Sequence, residues 1–232
     1  MAINYNPSII RDNLSLYIDS GNMGSYPGTG GIVYDISGNN RNFTGNASFA
    51  SNTTGIRSGS SWTCSSTLVN NLLNTDFFSM FFYIRFNTTV SNTTATSGNW
   101  DMIFQHGPSG TDRSPGIWRY PSERRIHWRY APSNSGHDFG KDSAGNQFDP
   151  NIWYSIGQTK NGATVISYVN GVQVGSDGGT NNPKTAGNAD IVLFPYFPET
   201  LCNINMLAIY NKVLTAEEIQ QNFNATRVRF GI

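Results

Sequence analysis

The sequence predicts an all-β protein, a two-sheet antiparallel sandwich or a barrel, and three observations carry that expectation. About a dozen short apolar segments alternate with period two between Gly, Pro, Asn and Ser clusters, the spacing of sandwich and barrel strands. A single convincing helix-start signal stands in the chain, near its end. No fixed-period repeat is present, which argues against a propeller or a solenoid. At 232 residues and with no linker-like interruption, residues 1–232 read as one large β domain, a size that sandwiches reach without splitting.

Taken in order, residues 14–18 give a first strand, and the Gly/Pro/Asn-rich stretch 21–31 a long loop. Cys64 is expected in or near a strand. Residues 77–86 form the strongest strand: Phe78, Met80, Phe82, Ile84 and Phe86 share one face, and Phe77, Phe81 and Tyr83 the other. Apolar residues on both faces mark a central strand covered from both sides. Strands at 101–106, 116–120 and 125–130 follow, the last two parted by a Pro-Ser-Glu turn. Residues 152–159, 164–169 and 172–175 make a meander turned at Asn161-Gly162 and Asn170-Gly171, the strongest short-range hairpin signal a sequence offers. Strands at 191–194 and 204–210 complete the set. The last sets Met206, Ala208 and Tyr210 against Leu207 and Ile209, then runs into a helix with Thr215 as N-cap, Glu218 closing a capping box and Leu214 stapled onto Ile219.

The segment from Asn205 through Tyr210-Asn211 to Leu214-Thr215-Ala216-Glu217-Glu218-Ile219 resembles the close of concanavalin A-like and laminin G-like β-sandwich domains. Trp153-Tyr154-Ser155-Ile156 leading to Tyr168-Val169-Asn170-Gly171-Val172 is similar to a hairpin of those domains. The resemblance decides for the sandwich: a jelly roll with one short C-terminal helix. The opening, Leu14 to Asn22 and on to Asp35-Ile36-Ser37-Gly38-Asn39-Asn40, together with the ending Gln220 to Ile232, looks like virion structural proteins of tailed bacteriophages. That resemblance implies a protein displayed on the virion surface, touching other virion subunits and host cell-surface glycans, and associating as a homo-oligomer, with trimers common among such proteins.

Composition narrows the partners. Charged residues are 13% of the chain, fifteen basic against fifteen acidic, and nucleic acid demands a basic surplus that is absent. No stretch approaches the roughly 18 apolar residues of a membrane span. The start at Met1-Ala2-Ile3-Asn4 lacks a cationic segment followed by an apolar run, so synthesis in a host cytoplasm is expected rather than secretion. Asn-x-Ser/Thr triplets at Asn13, Asn42, Asn46, Asn52, Asn87, Asn92 and Asn224 then read as by-products of polar loops. Cys64 and Cys202 are the only cysteines; they permit one bridge but show no metal or redox spacing, and a reducing compartment keeps such thiols free.

The densest functional candidate is Trp118-Arg119-Tyr120 with Arg125, His127 and Arg129. Alternation turns Ile126, Trp128 and Tyr130 to one side and Arg125, His127 and Arg129 to the other, giving one core face and one cationic stripe that is expected to meet solvent. Aromatic faces stack on sugar rings, and Arg forks clasp carboxylates or phosphates, so this surface suits an acidic glycan of a cell envelope. An ordinary solvated strand face, with Arg paired to nearby Asp or stacked on Trp, explains the same residues. For a cofactor, the alternating oxygens of Asp35 and Asn39 offer only a weak calcium site, because one carboxylate falls short of the six to eight oxygens required; an Asx turn with Gly38 accounts for them equally.

Enzyme readings find little support. Glycosidases of the resembled fold carry Glu-x-Asp-x-x-Glu, two carboxylates about 5–5.5 Å apart. The four glutamates here are Glu123 and Glu199 beside prolines and Glu217 and Glu218 at the helix start. His137, Asp138 and Asp142 sit in a Gly/Ser loop, His106 ends a strand, and no Gly-x-Ser-x-Gly elbow exists. The expected function is therefore a non-enzymatic virion surface protein, a capsid decoration or tail/fibre component with a glycan-binding role. A polysaccharide lyase or hydrolase is the rival, and a carbohydrate-binding module of a bacterial surface protein the third reading.

Overall fold

Strand periodicity dictates the architecture, because each long strand has an apolar face to hide and the ten-residue strand 77–86 has two. The computed structural model describes residues 8–69, 72–73, 76–87, 100–107, 113–121, 123–131, 142–143, 148–178, 189–196 and 202–232. Among these residues the strands form two antiparallel sheets packed as a sandwich, the predicted fold. The back sheet holds β1 (Leu14–Asp19), β4 (Ala50–Ser51), β5 (Gly55–Arg57), β7 (Phe77–Phe86), β11 (Trp153–Asn161), β12 (Thr164–Val169), β13 (Val172–Gly178) and β15 (Cys202–Tyr210). Its order is β13-β12-β11-β7-β15-β5-β4, with β1 also paired to β15. The front sheet holds β2 (Ile32–Val33), β3 (Phe43–Thr44), β6 (Trp62–Cys64), β8 (Asp101–His106), β9 (Arg113–Arg119), β10 (Ile126–Ala131) and β14 (Ile191–Tyr196). Its order is β10-β9-β8-β14-β6-β3-β2.

Strand β7 sits between β11 and β15 and supplies both cores. Phe78, Met80, Phe82, Ile84 and Phe86 join the cluster between the sheets. Phe82 meets Trp128 with ring centres 5.8 Å apart, and Phe78 meets Tyr130 at 5.9 Å, so β10 of the front sheet packs directly on β7 of the back sheet. Phe81 and Tyr83 point outward into a second cluster that includes Tyr210, Leu214, Ile219 and Phe230. Phe77 corrects the expected pattern: it is 51% exposed, opening the strand opposite Asn161 beside a turn.

The second core exists because the C-terminal helix α2 (Ala216–Thr226) and the short helical turn Arg227–Phe230 lie on the back sheet. The Thr215 hydroxyl accepts from the Glu218 amide at 3.3 Å, and the Glu218 carboxylate accepts from the Thr215 amide at 3.0 Å, closing the predicted capping box. Leu214 and Ile219 are buried on either side of it. Buried Asn222 then pins the helix, its Oδ1 accepting from the Ile10 amide at 2.8 Å and its Nδ2 donating to the Tyr210 hydroxyl at 3.3 Å. A four-residue helical turn, α1 (Ser66–Val69), lies outside the sequence expectation.

Both hairpins form, with one shift. Asn170 and Gly171 take φ of 50° and 77°, the double left-handed turn that Asn-Gly predicts. In the other hairpin Asn161 stays in β11, paired with Thr164, and the loop is Gly162-Ala163. Cys64 ends β6; it and Cys202 are buried free thiols, and burial pushes the Cys64 thiol up to about 12. No helix among the described residues is long and apolar enough to cross a membrane.

Candidate functional site

Strands β8, β9 and β10 form one end of the front sheet, and their register decides which side chains meet. Trp118 faces Met102 on one side and His127 on the other; Gly116 faces Gln105 and Arg129. Directly opposed residues share a face, so Trp118, His127 and Arg129 lie together on the outer surface while Ile117, Ile126 and Trp128 enter the core. Gly116 makes room for the indole: a Cβ there would stand 2.0 Å from Trp118 Cη2.

Asp142 is the hub of this surface. His127 Nδ1 lies 3.0 Å from Asp142 Oδ1, and Arg129 bonds the same oxygen. The Tyr120 hydroxyl donates to Oδ2, and Arg125 reaches that oxygen at 3.3 Å. Ser143 fixes the hub onto the free edge of β10: its amide donates to the Ile126 carbonyl at 3.0 Å, and its hydroxyl accepts from the Ile126 amide at 2.8 Å. Burial opposes ionisation of Asp142, yet hydrogen bonds from His127 and Tyr120 and the charge of Arg129 hold its carboxyl well below the usual carboxylate range. Burial, with the hydrogen bond to Asp142 and its charge, pushes the Tyr120 phenol up to about 12, so it stays a donor.

An aromatic rim surrounds the hub. Trp100 lies 4.5 Å from Tyr120 and 4.7 Å from His127, ring centre to ring centre. The Arg125 guanidinium covers the Tyr120 ring at 4.1 Å. Trp100 is 42% exposed, whereas Trp118 is 7% exposed.

These positions revise the sequence expectation residue by residue. Trp118, Tyr120, Arg125, His127 and Arg129 do converge, but as a paired network rather than a stripe open to solvent. His127 and Trp118 are buried, and the Arg129 side chain is 14% exposed against 28% for Arg125. Arg119 leaves the group altogether. Opposed to Ile126 and Asp101, it points inward, 1% exposed, and its Nε donates to Asp101 at 2.9 Å. Among the described residues charge is locally balanced as well, since Asp142 and Glu123, 3.8 Å from Arg125, answer Arg125 and Arg129. Sequence reasoning missed Trp100. Its signal was alternation: Trp100 stands two residues before Met102 and therefore shares the face of Trp118. The hub role of Asp142 was not legible, because a loop residue carries no register. His137 and Asp138 lie outside the described residues.

The calcium candidates are otherwise occupied. The Asp35 carboxylate accepts from the amides of Tyr17, Ser37 and Arg41 and from the Ser37 hydroxyl, at 2.9 to 3.0 Å. Asn39 donates its amide to the Leu14 and Ser15 carbonyls and to Ser37 Oγ, and Gly38 takes a φ of 99°. This is a turn tied down by side chains, with the lone pairs of Asp35 turned to N–H and O–H donors rather than to a common cation. Among the described residues no three His, Cys, Asp or Glu side chains gather to hold a metal. Elsewhere an open groove of about 670 Å³ runs between Val172 and the α2 residues Glu217, Gln220 and Asn224.

A two-sheet antiparallel sandwich with a strand-built outer face and a short C-terminal helix is the concanavalin A-like class of fold. The chain belongs to the concanavalin A-like lectin/glucanases superfamily, whose laminin G-like family matches residues 58–220. No curated protein matches it by sequence. Among solved structures it is similar to the botulinum neurotoxin serotype D binding domain, with a TM-score of 0.71 at 18% identity over 94% of this chain and 53% of that one. It is likewise similar to the serotype D ligand binding domain in complex with N-acetylneuraminic acid, at 0.69 and 18% over 94% and 52%. A third likeness is to the Trypanosoma rangeli sialidase in complex with 2,3-difluorosialic acid, at 0.60 and 13% over 94% and 34%. The chain spans about half the length of the neurotoxin chains, which are 52–53% covered.

Proposed function

We propose that this domain is a non-enzymatic carbohydrate-recognition module that binds glycan on the outer face of the front sheet. One observation carries the reading: an exposed tryptophan, Trp100, packs at a tilt against Tyr120 and His127, in a cluster that Arg125 and Arg129 complete around Asp142. An indole face covers the apolar side of a sugar ring, while fixed N–H groups meet its hydroxyls without paying for their own ordering. Charge balance at the hub turns the proposal away from the acidic glycan of the sequence expectation and toward hydroxyl-rich, neutral rings. The sialic acid ligands of the neurotoxin and sialidase structures support glycan as the ligand class.

The non-enzymatic part rests on where the carboxylates fall. Glu217 and Glu218 are spent in the first turn of α2, Glu123 sits in the β9–β10 turn beside Arg125, and Asp142 is clamped by its donors. We further propose, from the likeness of both chain ends to tailed-phage proteins, that the module is displayed on a virion and binds host surface glycans there, as a homo-oligomer among other virion subunits. A glycan array probed with wild type and Trp100→Ala tests the binding claim: retained signals for neutral glycans in the variant contradict it, as does release of reducing ends or unsaturated products. Mass spectrometry of purified particles tests the location, where high copy number means capsid, low copy number means tail, and absence sinks the virion reading.

A further inference from the structure

We propose that the back sheet carries a second ligand site, an oxyanion pocket built on Arg85 and Asn203 that takes the carboxylate or sulfate of an acidic sugar. The register sets four side chains in one row across four strands. Arg57 of β5 opposes Asn203 of β15, Asn203 opposes Arg85 of β7, and Arg85 opposes Trp153 of β11. Opposed residues share a face. Trp153 packs against Phe230, ring centres 5.2 Å apart, so the row lies on the outer face beside the C-terminal turn. The Trp100 cluster belongs to the other sheet, and neither site depends on the other.

What distinguishes this row is donors without acceptors. Arg85 is half-buried with its guanidinium 5.0 Å over the Trp153 ring, and among the described residues it has no ion pair and no side-chain hydrogen bond; its Nε is sealed from solvent and unpartnered. Its neighbour Asn203 is 1% exposed, and among the described residues Nδ2 of that amide also lacks an acceptor. Nearby cations are served: Arg229 bonds Asp19 at 2.8 Å and Asn205 at 3.1 Å, and Arg57 donates to the Ser48 carbonyl. Asp19 is taken, since it also accepts from the Tyr17 hydroxyl and the Gly21 amide.

Buried donors and a half-buried cation left unpaired cost stability, and an entering oxyanion answers both at once. The guanidinium presents the planar fork that matches a carboxylate or sulfate, the Asn203 amide adds a donor from the next strand, and Trp153 holds the fork against the sheet. A neutral hydroxyl meets only the hydrogen-bonding half of that demand. The ligand must enter the row rather than rest on its surface, because the orphan donors lie below it.

The test compares wild type with Arg85→Gln in calorimetric titrations of a glucuronate oligosaccharide, a sulfated oligosaccharide, sodium sulfate and a neutral glucose oligosaccharide, with melting curves alongside. Wild type is expected to bind a carboxylated or sulfated sugar at this site, the arms telling carboxylate from sulfate and sugar-borne from free anion. Any binding of the neutral sugar, which belongs to the Trp100 face, is expected to be equal in wild type and Arg85→Gln. Arg85→Gln is expected to lose about tenfold or more in affinity, the scale of one charge-assisted contact, while melting no lower without ligand. Trp100→Ala should leave this binding intact, which separates the two sites. If Arg85→Gln fails to fold, Arg85→Lys keeps the charge without the fork and is expected to weaken binding at an unchanged melting point. Absence of saturable anion binding to wild type, or equal binding by the Arg85 variant that folds, overturns the proposal.

Discussion

Asp142 shows how a single carboxylate organises the front face. It answers Arg125, His127 and Arg129, three groups whose shared direction follows from alternation alone. Asp142→Asn leaves the two guanidinium groups short of a counter-charge, and a loss of about 1–3 kcal/mol is expected in a urea melt near neutral pH. The pH dependence has a definite sign. A carboxyl held below its ordinary range contributes fully above its unfolded value, about pH 4, and loses that contribution as pH falls through the folded value. The gap between wild type and Asp142→Asn should therefore narrow as pH drops below about 4; a constant gap contradicts the ionic role. Arg129→Ser should cost more than Arg125→Ser, because Arg125 is the more exposed partner and exposed pairs contribute about 0–1 kcal/mol. Reversed ranking by thermal melt would show that the hub was misassigned. Sequence gave the face of Arg125, His127 and Arg129 correctly but left Arg119 with them; the β9 register, set by pairing with β8, sends Arg119 inward to Asp101.

At the scale of elements, local signals were legible wherever chemistry is local. The α2 start was readable because the capping box, staple and apolar positions all lie within six residues, from Leu214 to Ile219. Thr215→Ala is expected to cost about 0.5–2 kcal/mol through loss of that cap, and a denaturant melt with no change would contradict it. Short strands such as β2, β3 and β4, two residues each, escaped notice since alternation needs more residues than they contain. The turn at Gly162-Ala163 moved by one residue because β11–β7 pairing extends β11 through Asn161. Gly116 tests whether the front face is built by close approach. Gly116→Val places side-chain atoms where Trp118 lies, and should displace the indole, visible as a shift in tryptophan fluorescence together with a loss of about 1–3 kcal/mol. Unchanged fluorescence would mean that Trp118 does not lie over Gly116.

For the whole molecule, the division into two faces is what makes a recognition role reachable. The C-terminal helix and its following turn seal much of the back sheet, so its outward residues Phe81, Tyr83 and Tyr210 become a second core. The front sheet carries Trp100 outward, 42% exposed, with no such cover over that ring among the described residues. Fold class was legible because apolar alternation and turn residues recur many times along the chain, and the single family-like ending then decided for the sandwich. The assembled site was less so: it joins Trp100, Tyr120, His127 and Asp142 across three strands and a loop, and only pairing register brings them together. Hydrogen exchange, with the strongest oligosaccharide from the array at saturation, tests the central claim most directly. Glycan recognition by the front face predicts slowed exchange in β8, β9, β10 and the residues around 142–143, with the α2 groove unchanged. Protection confined to β13 and α2, or no protection anywhere, would contradict it.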